Sequence, residues 1–376
     1  MYKKYGQWKA GDTVFNRKFD AMLHASKNNL KVKFVYHDQI WENFDKTLLG
    51  KVPLSMLYKE RAQQLRDSYQ YLILNYSGGA DSHNILMTFL NNNIKLDEIC
   101  VKWPKVLMDG NLYTPNNVDR SALNYWSEWD YSVKPTLDWV SRIHTNIKIT
   151  IKDFVGKVES IDIESLFDKI EHIRSGAMLQ TASISDSDLI LADKSITTGH
   201  IYGIDKPLLA LGDNNRVGMF FSDLAISPVV PGVLDPENAE CFYWAPDLPL
   251  LTFEMAYQAS EYYNINKYKR NYLWRSNNTA SNGMINQFQN DVTKAVCYDT
   301  WDNRFQADKP TKANRTDKWF WFFENSEFET VKNIYIDNVK LRTDMITDEF
   351  KIVSSDGISG FKTMTSSVFY FRTLDE

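Results

Sequence analysis

The spacing of apolar positions changes character twice along the chain. Over the first seventy residues it is mixed, and predicts a helix from Val14 to Ala25, a short strand from Val32 to Tyr36 and a helix from about Leu54 to Tyr69. In that last helix Leu54, Leu57 and Leu65 share one stripe with Arg61, a charge at its margin. From Tyr71 the pattern becomes alternating strand and helix. An apolar strand Tyr71 to Tyr76 precedes a helix from Asp81 to Leu90 and a strand from Glu98 to Lys102. Helices over Asn117 to Asp130 and Thr136 to His144 follow, then a strand from Ile147 to Ile151, a helix over Ile163 to Leu179 and a strand near Ser195 to Thr198. Strands separated by helices at these lengths predict a parallel sheet with crossover connections.

Beyond residue 200 the texture shifts again. Pro207 to Leu211 and Val217 to Ser222 flank the turn-forming run Gly212 to Arg216, the pattern of a β-hairpin. Ser227 to Pro236 reads as a linker, Pro249 to Tyr263 as a helix, with helix continuing to Arg275 and again from Gly283 to Trp301. The last sixty residues are aromatic-rich and strand-like, with a turn at Ser355 to Gly357. The predicted class is α/β, a Rossmann-like parallel sheet. Its organisation reads as an N-terminal lead-in over 1–70, a core over 71–225 and a C-terminal α+β extension over 226–376.

Composition narrows the partners. With 376 residues, 43% hydrophobic and 14% aromatic, the chain has enough apolar material for a large core, which argues against disorder. A net charge of -5 disfavours a surface that tracks nucleic acid throughout. Cys100, Cys241 and Cys297 lie far apart, so neither a disulfide scaffold nor a zinc site is expected. No apolar run approaches the ~18 residues that span a bilayer, and none follows Met1 to Tyr5 as a signal segment, so the expectation is a cytoplasmic protein with no membrane partner. Heavy use of Asn, Lys, Ile and Tyr is the usage of AT-rich genomes, including those of phages.

The chemistry concentrates at Ser77-Gly78-Gly79-Ala80-Asp81-Ser82, where a buried strand opens directly into a helix. Glycines let backbone N–H groups approach phosphate oxygens, and a helix start adds partial positive charge. Ser77 and Ser82 offer hydroxyls. Asp81 reads either as a Mg2+ ligand or as the helix N-cap. This run resembles the SGGxDS signature of the PP-loop, or N-type ATP pyrophosphatase, superfamily, and lacks the GK[ST] ending of a Walker A loop. The resemblance implies an adenine nucleotide alpha-hydrolase type of fold with ATP and Mg2+ as cofactors. It also implies cleavage between the α- and β-phosphates, in which a substrate oxygen attacks the α-phosphorus and pyrophosphate departs.

A second stretch, Thr197 to Pro207, resembles the TGHxxD segment of tRNA lysidine and thiolation enzymes in that superfamily, with four residues rather than two between His200 and Asp205. The resemblance implies that Gly199 approaches the nucleotide, Asp205 joins Asp81 on the metal, and Lys206 meets phosphate, with Asp81 and Lys206 as catalytic residues. Trp103, at the end of the second strand, is the candidate to stack on adenine; core packing is the alternative. His37, Asp38 and His83 are weaker candidates, and Asp223, Asp247 and Glu254 are carboxylates in the region expected to shape an acceptor site. The run Lys267 to Arg275 interleaves basic and aromatic residues, as nucleic-acid binding would, but most such runs are solvated helix faces whose rings point into the core, and nucleic acid is not the favoured partner.

Absences select among the members. Tyr2 stands where glutamine-hydrolysing members carry cysteine, and no paired, clustered or C-terminal cysteines serve sulfur or zinc chemistry. The expected function is therefore adenylation of a carboxylate or carbonyl oxygen, followed by transfer to an amine or ammonia, in the manner of the synthetase domain of asparagine synthetases. A tRNA- or base-modifying enzyme and an inactive nucleotide-binding module are the alternatives. The acceptor and any partner subunit are not named by the sequence.

Overall fold

The computed structural model describes residues 6–102, 129–152, 196–203, 206–223, 238–275, 283–302, 333, 337, 340–353 and 359–375. The readings at 117–128, 163–179, 227–236 and 355–357 lie outside these residues, as do Trp103 and Asp205.

Three strands open the chain. β1 (Gln7–Ala10) pairs antiparallel with β2 (Thr13–Phe15) and with β3 (Val32–Val35). The helix expected from Val14 to Ala25 begins later, as α1 (Lys18–Asn28). Gly11, with φ +59°, turns the chain so that Thr13 returns against Ala10, and the pairing draws Val14 and Phe15 into a strand. After a short α2 (Asp38–Glu42), α3 (Leu54–Ser68) leads into β4 (Tyr71–Asn75), α4 (Ala80–Asn91) and β5 (Glu98–Lys102), close to the expected bounds. Arg61 is not at the margin of α3 but buried, because Glu240 and Asp247 meet its guanidinium at 3.1 and 2.6 Å.

α5 (Lys134–Ile143) and β6 (Lys148–Lys152) follow, then β7 (Thr198–Tyr202), the hairpin β8 (Leu208–Leu211) and β9 (Arg216–Phe220), and β10 (Ala239–Cys241). The strand expected near Ser195 to Thr198 thus lies further on, and takes in Gly199 and His200. β4, β5, β6, β7 and β10 form an all-parallel sheet in the order β10-β7-β4-β5-β6, flanked by helices in a mixed α/β, Rossmann-like arrangement. Its edge strand β10 comes from beyond residue 225.

α6 (Pro249–Ile265) is buried along Leu251 to Ala256 without a break. The continuity has a cause. Leu251 and Met255 pack into the core around the parallel sheet, while Phe253, Ala256, Ala259 and Tyr263 pack into the core shared by β1, β3, β9 and the C-terminal strands. Instead of continuing as helix to Arg275, the chain makes a 3-10 segment over Lys267–Tyr272 and a short β11 (Trp274–Arg275) parallel to β8. α7 (Gly283–Cys297) packs on α6. β12 (Lys351–Val353) and β13 (Ser359–Phe361) pair antiparallel, and β14 (Phe369–Thr373) joins β9 to complete a four-stranded sheet, β11-β8-β9-β14. No helix among the described residues is long and apolar enough to cross a membrane.

Candidate functional site

The order β10-β7-β4-β5-β6 contains a reversal. From β4 the chain moves outward through β5 and β6, then returns to the other side of β4 as β7. A parallel sheet opens a crevice at such a point, beyond the carboxyl ends of its strands. The segments entering it here are the loop after β4, residues 76–79, and the segment after β7 that carries Gly203 and Lys206.

The loop's shape follows from its glycines. Gly78 has φ +78°, and a Cβ there would lie 2.4 Å from Val133 Cγ2, while its carbonyl accepts a hydrogen bond from Ser132 Oγ at 2.6 Å. Gly78→Ala is therefore expected to cost stability by about 1–3 kcal/mol, read by urea denaturation, because neither the backbone conformation nor the space admits a methyl group. Ser82 Oγ donates to Gly79 O at 3.1 Å and accepts from Ser77 N at 3.2 Å. Its hydroxyl holds the loop together, and Ser77 is the exposed hydroxyl of the pair. Gly79 is the residue before α4 and makes no side-chain cap, so the N-cap reading of Asp81 does not hold. The first amide of α4 to find a partner behind it is His83 N, on Gly79 O at 3.0 Å; Ala80, Asp81 and Ser82 carry the outward-directed donors of a helix start.

Asp81 turns away from the cap toward three distant residues. Its Oδ1 accepts hydrogen bonds from Lys206 Nζ at 2.7 Å and from Tyr298 OH at 2.8 Å, and Lys294 Nζ stands 3.7 Å from Oδ2. Its backbone carbonyl accepts from Tyr243 OH at 2.8 Å. Burial alone would raise the carboxyl, but Lys206, Lys294 and the hydrogen bond from Tyr298 outweigh it and hold the group down at about 2. Burial, with the Asp81 charge nearby, pushes the phenols of Tyr243 and Tyr298 well above their ordinary range, so both remain donors.

Because the folded pKa of Asp81 lies below the unfolded value of about 3.9, its contribution is complete above that pH and is lost as pH falls toward and through about 2. The contribution is on the order of 2 kcal/mol. The expected result is that Asp81→Asn lowers stability at pH 7 by roughly that amount, and that the gap from wild type closes between pH 4 and pH 2 in denaturant titrations.

The residues expected from sequence divide. Ser77 to Ser82 and Lys206 come together. Gly199 does not join them: it lies inside β7, opposite Leu72, where a Cβ would fall 2.6 Å from the Tyr69 ring, so its lack of a side chain serves strand–helix packing. Gly203 is the glycine at the loop, where a Cβ would come within 3.0 Å of Ser82 N and 3.1 Å of Asp81. His83 is buried, with Nδ1 3.2 Å from Tyr76 OH. Asp38 accepts from Tyr36 N and pairs with Lys33, and His37 takes the left-handed conformation before α2.

Asp223, Asp247 and Glu254 are engaged structurally: Asp223 by Lys18, Asp247 by Arg61, and Glu254 by Gly50 N and Gln258. Along Lys267 to Arg275, Lys269 sits over the Tyr272 and Phe288 rings, Arg270 donates to the carbonyls of Tyr263 and Asp375, and Trp274 is buried. Sequence reasoning missed Lys294, Tyr298, Tyr243 and Ser132, because nothing local marks a residue as the neighbour of a loop more than fifty positions away.

Lys206, the helix start and Ser77 suit a phosphate group. A divalent cation fits less well. The Asp81 carboxylate is already matched by two ammonium groups, and no group of three or more His, Cys, Asp or Glu residues able to hold a metal occurs among the described residues. All three cysteines are buried, and none is in a disulfide. No family model, curated protein or solved structure matches the chain.

Proposed function

We propose that the chain is an ATP-using enzyme of the PP-loop kind, which adenylates an oxygen of a carboxylate or carbonyl substrate and then transfers the activated group to an amine or ammonia. The reading rests on one juxtaposition: at the switch point of an all-parallel sheet, the ammonium of Lys206 meets the first turn of the helix that follows a glycine loop. Helix amides and Lys206 together oppose a concentrated negative charge. In adenylation that charge accumulates on the departing pyrophosphate as the substrate oxygen bonds to the α-phosphorus and the bond from that phosphorus to the bridging oxygen breaks. The amine then attacks the activated carbon, and AMP leaves with the bonding electrons. Asp81 holds Lys206 in place between turnovers.

The test is incubation of the chain with α-labelled ATP, magnesium chloride and a fractionated metabolite pool, followed by product analysis. AMP and pyrophosphate in equal amounts, dependent on one fraction, are the expected result. ADP and orthophosphate, or no nucleotide turnover with any fraction, would count against it.

A further inference from the structure

Asp81 is gripped from two sides by a pair of tyrosines that no step above uses. Tyr298, just past α7, donates to the Asp81 carboxylate, and Tyr243, between β10 and α6, donates to the Asp81 carbonyl, each at 2.8 Å. The two rings stack with centroids 5.4 Å apart and planes at 26°. Tyr58 of α3 meets both rings edge-on, and its hydroxyl donates to Cys297 O at 3.1 Å, which fixes the end of α7. Asn84, one turn further along α4, donates to the Tyr243 hydroxyl at 3.2 Å. Both tyrosines are almost fully buried.

A purely packing role would need neither hydroxyl, since phenylalanine fills the same stack. The hydroxyls converge on one residue, and that residue holds Lys206. An incoming phosphate draws Lys206 away from Asp81, whose carboxylate must then be held by Tyr298 and Lys294. Otherwise a buried carboxylate loses part of its compensation at the moment of binding. Tyr298 is on the same oxygen as Lys206 and is a donor that a phosphate does not recruit.

We infer that Tyr298 is a positioning residue for nucleotide binding, with Tyr243 as its support: it keeps Asp81 fixed and satisfied while Lys206 engages phosphate, and so couples the docking of α7 to the phosphate loop. This rests on the reading of the loop as an ATP site.

The experiment is a double-mutant cycle on ATP affinity, measured by calorimetry for the full chain with magnesium chloride present, alongside melting temperatures. Tyr298→Phe is expected to weaken ATP about tenfold in the wild-type background. In the Asp81→Asn background it should produce less than a twofold change, because the path through Asp81 is already cut. Tyr243→Phe, which leaves the carboxylate bond in place, should give a smaller loss and serves as the second variant if Tyr298→Phe does not fold. A structural role alone would weaken ATP equally in both backgrounds, or lower the melting temperature without touching affinity, and either result overturns the inference while leaving the ATP reading intact. Failure of the wild-type chain to bind ATP overturns both.

Discussion

Replacing Lys18 by methionine is expected to lower the free energy of unfolding by about 3–5 kcal/mol, the range for removing one partner of a buried ion pair. The side chains of Lys18 and Asp223 are both fully buried, with Nζ 2.7 Å from Oδ2. The same carboxylate accepts from Trp8 Nε1 at 2.9 Å and from Met364 N at 3.0 Å, so it ties α1 and β1 to the end of the β8–β9 hairpin and to the C-terminal segment. Without the ammonium, a charged Asp223 stays in a site closed to water. The cost arises from stranding the charge rather than from losing one attraction. Combining Lys18→Met with Asp223→Asn should therefore recover much of the loss, since asparagine is neutral and can still accept from one of the remaining donors. Guanidinium titration of the two single variants and the double variant checks this, and equal losses in Lys18→Met and the double variant would refute the charge argument.

The second large effect concerns binding. Lys206→Met is expected to weaken ATP by tenfold or more, corresponding to about 1.5–3 kcal/mol for a hydrogen bond to a charged group. The fold should survive the change, because Asp81 keeps Tyr298 on Oδ1 and Lys294 near Oδ2. Calorimetric titration with ATP reads the affinity, and far-ultraviolet dichroism reads the fold. An unchanged affinity in a folded variant would remove Lys206 from the phosphate site. Asp81→Asn should behave differently, with a loss of stability at neutral pH that fades in acid.

The elements nearest the site were legible along the chain because their signals are short-range. A run of apolar residues, two glycines and a helical period suffice to mark β4, the loop and α4, and Gly212 to Arg216 mark the hairpin between β8 and β9. Where the structure departs from these signals, a pairing or packing partner outside the element itself is responsible. Val14 and Phe15 carry a helical spacing, yet β1 draws them into a strand. Gly199 has the look of a loop glycine, but Tyr69 stands over it and the strand continues through it. Gly203, four residues later, makes the close approach to the first turn of α4, whereas Gly199, expected to approach the nucleotide, stays within the strand.

The sequence by itself determined that a strand runs into a glycine turn and a helix at Tyr71 to Leu90, within an alternating α/β region, since backbone preference and apolar period are settled by residues within a turn or two of one another. Which charges face which was decided only by the tertiary structure. Arg61 meets Glu240 and Asp247, Lys18 meets Asp223, and Asp81 meets Lys206, Lys294 and Tyr298, at separations of more than a hundred residues. The strength of each pairing, and the depression of the Asp81 carboxyl with it, depends on removal from water. That depends on how β4 and β7 come to lie side by side and on α7 bringing Lys294 to Asp81, and no local pattern records it.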